Sequence, residues 1–142
     1  MQPSGPIFGN ANASQSSAPL RPSAGEKVMA AMAHLSILMP HFGILAPLVI
    51  WLVNNDSAPY AAYQAKQAFF FHLLLVVLFW VLFVGAIVFG IVTFGWGALP
   101  FIPILLCWYL VAGIYGIVAA VKSLEGRDFR YLFIGQVFSP ND

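Results

Sequence analysis

Two long runs without a single charged residue constrain this chain more than any other feature. Phe69 to Thr93 is one and Leu99 to Val121 the other. As helices rising ~1.5 Å per residue they are about 37 Å and about 34 Å long, enough to cross a ~30 Å hydrocarbon core with some tilt. The stretch joining them, TFGWGALP (Thr93 to Pro100), has the chemistry of a tight turn. Gly95 and Gly97 supply turn geometry, and Pro100 suits a first helical turn. The chain is 61% hydrophobic and 8% charged. A soluble domain carries roughly 25% charged residues, so the deficit excludes an ordinary soluble core. The expected fold is therefore all-α and integral to a membrane, built on an antiparallel transmembrane hairpin.

A third apolar segment, Met29 to Val53, precedes the hairpin and is interrupted by Pro40, Gly43 and Pro47. Pro40 removes a backbone donor and disfavours a helical Met39. The halves Met29 to Met39 and Ile44 to Val53 are each about 15–16 Å as helix, half a membrane. The segment is either one kinked span or a hairpin of two short helices that enters and leaves on one side. Basic residues favour cytoplasmic loops. The six basic residues are Arg21, Lys27, Lys66, Lys122, Arg127 and Arg130. They fall on one face only if the first segment returns to the side it entered from. The expectation is three to four membrane segments in a multi-pass protein of a bacterial inner membrane, with both termini cytoplasmic.

Residues 1–25, rich in Pro and Ser and without an apolar stretch, read as a disordered tail rather than a secretory signal. The helical membrane domain spans 26–135, and 136–142 form a short C-terminal tail. Ala58 to Gln67 reads as an interfacial helix leading into the second run. Phe129, Tyr131, Leu132, Phe133 and Ile134 read as an apolar patch lying in the interface. Trp51, Tyr60, Tyr63, Lys66, Trp96, Arg127, Arg130 and Tyr131 are expected as membrane-interface anchors.

Small residues recur at helical spacing: Ala86 and Gly90 in the second run, and Ala112, Gly116 and Ala120, with Gly113 beside them, in the third. Four-residue spacing puts them on one helix face, where another backbone can approach. That face packs within this bundle or docks against a helix of another membrane subunit. His34, His41 and His72 are the candidate ligands for a haem or metal. Scattered histidines more simply make interhelical hydrogen bonds, and no cofactor or metal is expected. The five acids, Glu26, Asp56, Glu125, Asp128 and Asp142, all lie outside the apolar runs, so no proton relay or ion path is indicated. Phosphate-loop, nucleophile-elbow and metalloprotease motifs are absent from the sequence, which argues against an enzyme. Near-neutral net charge, +1, gives no reason to expect nucleic acid.

Three strings together suggest a family: Ala31 to Asp56 (AMAHLSILMPHFGILAPLVIWLVNND), Ala65 to His72 (AKQAFFFH) and Ala119 to Gly135 (AAVKSLEGRDFRYLFIG). They resemble a widespread prokaryotic membrane domain of unknown function that is Tic-twenty-like, related to a component of the chloroplast inner-envelope import translocon. The chain departs from that pattern at Gln64, Phe70, His72 and Leu132. The resemblance implies a helical membrane protein and a translocation or channel role. The residues themselves favour another function: a non-enzymatic accessory or scaffold subunit of a larger membrane complex, bioenergetic or photosynthetic, held by lipid and by other membrane subunits.

Overall fold

A computed structural model describes residues 21–132, and in it the chain is helical almost throughout. Four α-helices follow in order: α1 (Ala24–Leu35), α2 (Leu45–Asn54), α3 (Pro59–Val92) and α4 (Phe101–Leu124). Short 3-10 turns at Ser36–Leu38, Phe42–Ile44 and Trp96–Ala98 link them. The expected tail segment 1–20 and the stretch from Phe133 onward, including Ile134 and 136–142, lie outside the described residues.

α1 begins two residues earlier than the expected tail boundary, and the cause is a capping box. The Ser23 hydroxyl accepts from the Glu26 N–H at 3.2 Å, and the Glu26 carboxylate accepts from the Ser23 N–H at 2.9 Å. Two of the orphan donors of a helix start are thereby satisfied reciprocally. The same carboxylate also accepts from the Tyr60 N–H at 3.3 Å, in the first turn of α3. One side chain thus caps two helices and fixes their starts side by side.

The first apolar segment folds back on itself. After the 3-10 turn, Met39 is extended (φ −97°, ψ 100°), as a residue before proline tends to be. The chain then reverses through a three-residue turn centred on His41, where the Phe42 N–H donates to the Pro40 carbonyl at 2.7 Å. His41 is left-handed there, at φ 62°. The Gly43 N–H donates to the Met39 carbonyl at 2.9 Å. Gly43 is packed so tightly that a Cβ would overlap the carbonyl of Ser36. Pro47 plays a different part from the one expected. It sits in the first turn of α2, where its missing N–H is an orphan anyway, and it initiates the returning helix rather than breaking it.

Both ends of this helical hairpin lie at one end of the molecule. Glu26 ties the start of α1 to the start of α3, and α2 reaches α3 through the short turn after Asn54. The Tyr60 hydroxyl donates to the Arg127 carbonyl at 2.9 Å and lies 3.4 Å from that of Ser123, bringing in the end of α4. Arg21, Glu26, Lys27, Asp56, Lys122, Glu125, Arg127, Asp128 and Arg130 gather at this charged end. Lys66 stands two turns up α3. The opposite end, Thr93 to Pro100, carries no charge.

α3 is one continuous helix about 51 Å long. The expected separate interfacial helix over Ala58 to Gln67 is instead its first third. That third is buried because Ala61, Ala62, Ala65 and Ala68 let α1 and α2 come close. Ile50 and Trp51 pack on Ala33, Ala65 and Ala68. The rest of α3 is the reverse: of its most apolar 18-residue window, 0% is buried. A soluble core helix passing the same test of length and apolarity would be covered. Two helices, Pro59–Val92 and Trp96–Leu124, are long and apolar enough to cross a membrane.

On α4, Ala112, Gly116 and Ala120 are buried. A Cβ on Gly116 would overlap the Ile37 side chain and lie 3.1 Å from the His34 carbonyl, whereas one on Gly113 would touch Leu38 at an ordinary 3.5 Å. Substitution therefore separates the two glycines. Gly116→Val and Gly43→Ala are expected to lower stability by about 1–3 kcal/mol through overpacking, while Gly113→Ala changes it little. Thermal unfolding in one detergent across the three variants checks the order.

Candidate functional site

The most distinctive chemistry is a polar cluster inside the lower half of the bundle. His34 on α1 and Gln64 on α3 are both 0% exposed, and Tyr131 is 1% exposed. The His34 Nδ1 lies 2.9 Å from the Tyr131 hydroxyl. The Gln64 carboxamide has one orientation that pairs every donor with an acceptor. Its N–H groups then donate to the His34 Nε2 and to the Phe129 carbonyl, both at 3.2 Å, and its oxygen accepts from the Phe129 N–H at 3.3 Å. With Nε2 accepting, the Nδ1–H of His34 donates to the tyrosine oxygen, so the network selects a neutral tautomer.

Chain reversal after α4 delivers Tyr131 to this place. Gly126 takes φ 74°, and the Arg127 N–H donates back to the Lys122 carbonyl at 3.0 Å, closing the helix in the manner of a Schellman motif. Residues 127–132 then run back along the bundle as a strap. Gln64 pairs with the backbone of that strap at Phe129 and gives it the partners a helix would otherwise supply. Tyr131 stacks on Phe71 with ring centroids 4.0 Å apart and meets Tyr115 at 5.5 Å. Tyr131 was expected as an interface anchor. It is instead a buried plug, because His34 offers its hydroxyl a partner in the interior and the rings of Phe71, Tyr115 and Phe129 surround its own.

The remaining expected residues are dispersed. His41 caps the turn of the first hairpin, exposed, with its ring edge-on to Phe79 at 5.0 Å. His72 is 3% exposed, and neither ring nitrogen has a hydrogen-bond partner among the described residues. Gln67 is likewise buried without a partner for its carboxamide. No three His, Cys, Asp or Glu among the described residues stand together as a metal group. Lys66 lies over the Trp51 ring, 5.9 Å from its centroid, and Tyr60 joins α3 to α4. Tyr63 lies on the buried third of α3, half-covered. Trp96 is exposed at the uncharged end, and Arg127 and Arg130 are exposed at the charged end. Gly90 faces Ala98, where a Cβ would sit 3.2 Å from the alanine's, and Ala86 lines an open apolar groove between α3 and α4.

Gln64 was not among the expected site residues, and neither was the pairing of His34 with Tyr131. The sequence carried one signal: a histidine, a glutamine and a tyrosine inside apolar stretches, each needing a partner once buried. The capping box Ser23–Glu26 was equally legible as S-x-x-E before an apolar run.

If the cluster holds the strap in place, losing the Tyr131 hydroxyl leaves the Nδ1 of His34 without a partner while Nε2 keeps Gln64. Tyr131→Phe is expected to cost about 1–3 kcal/mol. In a His34→Leu background the same change costs less, because the two groups act as a pair. A double-mutant cycle of unfolding in detergent measures the difference.

Comparison with known proteins corrects the expected family. Neither curated proteins nor solved structures give a match. A family model matches residues 25–138, and it is that of the MamF/MmsF family, described as the magnetosome magnetite crystal formation protein family. The Tic-twenty-like resemblance is overturned by this match, and the translocation role it implied falls with it. The match covers α1 through the strap, and this chain belongs to the magnetosome magnetite crystal formation protein family.

Proposed function

We propose that the protein is a non-enzymatic accessory or scaffold subunit of the magnetosome membrane, acting in magnetite crystal formation by organising that membrane rather than by chemistry of its own. The supporting observation is the division of the molecule into two unlike halves. The lower half is a closed bundle around a satisfied polar cluster. The upper half of α3 and α4 is apolar and uncovered, with Val81, Val84, Val88 and Ile91 on α3 and Ile102, Leu106 and Leu110 on α4 all exposed. That surface meets lipid and the helices of neighbouring subunits.

In this reading the charged end faces the cytoplasm, as positive-inside loops do. The uncharged loop Thr93 to Pro100 faces the magnetosome interior. The first segment then dips into the membrane and returns. The described acids, Glu26, Asp56, Glu125 and Asp128, all belong to the cytoplasmic end. The interior loop offers the growing mineral aromatic and backbone groups, among them Phe94, 96% exposed.

Two experiments test the reading. A chain tagged at its N-terminus is expected to locate to magnetosomes, and its deletion to give smaller or misshapen crystals by electron microscopy. Wild-type crystals in the deletion strain, or a protein that always runs alone after mild-detergent extraction, would overturn it. For the orientation, Cys107 is first replaced by Ser. A membrane-impermeant thiol reagent applied to intact magnetosomes is expected to label Asp56→Cys and to spare Trp96→Cys. The opposite pattern rules the orientation out.

A further inference from the structure

Beneath the turn of the first hairpin lies a small half-open cavity of about 40 Å³, walled by Pro40, His41, His72, Phe79, Trp108 and Tyr109. We propose that this cavity is a hydration site, holding one or two ordered waters that bind the imidazole of His72 to the turn of the first hairpin.

Three observations meet there. The first is His72 itself: buried, lining the cavity, and without a hydrogen-bond partner at either nitrogen. The Gly43 backbone lies alongside the ring without the geometry of a hydrogen bond. Buried polar groups in proteins are bonded to protein or to ordered water with few exceptions. The second is room: a water needs roughly 10–15 Å³ of such space and two to four polar partners. The third is the backbone of the turn. Residues 36–44 leave the α-helical ladder, and Met39, His41 and Phe42 are exposed. Phe79, which packs on His41, stands about 20 Å along α3 from Lys66, roughly midway along the charge-free part of that helix. Non-helical backbone at such depth is tolerated where protein buries it or a water-filled cavity bathes it.

In the rotamer present, both His72 nitrogens are covered. Hydration of the cavity turns one of them toward it through the terminal torsion of the imidazole, the broadest of its torsions. A water there accepts from or donates to the ring, and its remaining bonds go to the carbonyls of the turn. No apolar side chain can make that bridge. The site therefore accounts for an imidazole deep in an apolar helix and for an open turn above it, with one ligand.

The test uses the full-length protein in lipid nanodiscs with nitrogen-15-labelled histidine. An imidazole N–H signal showing transfer from long-lived water is expected, and it disappears in His72→Gln. Absence of any such transfer overturns the proposal. Thermal unfolding gives an independent reading through its sign. If water bridges the ring, His72→Leu lowers the midpoint and His72→Gln restores much of it. If the cavity is dry, His72→Leu removes an unpaired polar group and raises the midpoint, which also overturns the proposal. Added cobalt(II) is expected to leave the His72 signal unbroadened. Selective broadening would make the occupant a metal ion, and the assignment to water would be wrong.

Discussion

The hydrogen bond between His34 and Tyr131 is what the closed half of this protein depends on. It joins α1 to the strap after α4, two elements far apart in sequence. In an apolar setting neither group finds a substitute partner in solvent, so an unmade bond leaves both penalties standing. Gln64 extends the link to α3 by satisfying the second nitrogen of the histidine and the backbone of Phe129 together. Two helices and the strap are thereby registered by one contiguous set of polar atoms. Small residues make the approach possible: Ala30 and Ala33 on α1, Ala61, Ala65 and Ala68 on α3, and Gly116 and Ala119 on α4. Van der Waals packing at such close faces is the main attraction available in lipid, where apolar side chains gain nothing by leaving the tails.

A second constraint is the shortness of the first apolar segment's halves. Neither α1 nor α2 is long enough to cross a bilayer, and the pair works only as a unit that turns back. The turn is costly in backbone terms, with a left-handed histidine and a glycine pressed on a carbonyl. It persists because the helices on either side are locked: α1 by its cap and by His34, α2 by Trp51 against the alanines of α3. The strained turn, the orphan imidazole of His72 and the cavity between them form a single feature at the top of the closed half. Above it the molecule becomes a bare two-helix hairpin.

Membership in a family of magnetite crystal formation proteins gives that division a use. A closed, charge-bearing base and an uncovered apolar hairpin suit the proposed accessory subunit, whose work is done by its surfaces. In the proposed orientation the uncharged loop at the far end faces the mineral without carboxylates, since every described acid lies at the other end.

Much of this was legible in the sequence. Charge-free runs of helical length decided that α3 and α4 exist, and Gly95, Gly97 and Pro100 decided where they turn. Pro40 and Gly43 decided that the first segment breaks, because a missing donor and a missing Cβ act locally. Pro47 was misread for the same reason seen from the other side: a proline interrupts a helix or starts one according to where the preceding turn falls, and the tertiary fold settles that. Only the tertiary structure showed that Tyr131 is a plug and not an anchor, that Ala58 to Gln67 is buried helix and not an interfacial one, and that Gly116 is closed against Ile37 within the chain. An amphipathic tyrosine suits an interface and an interior equally well until a partner for its hydroxyl is named. That partner, His34, lies almost a hundred residues away along the chain. Sequence fixes a burial requirement residue by residue; which groups meet to satisfy it depends on long-range packing, which local pattern does not encode.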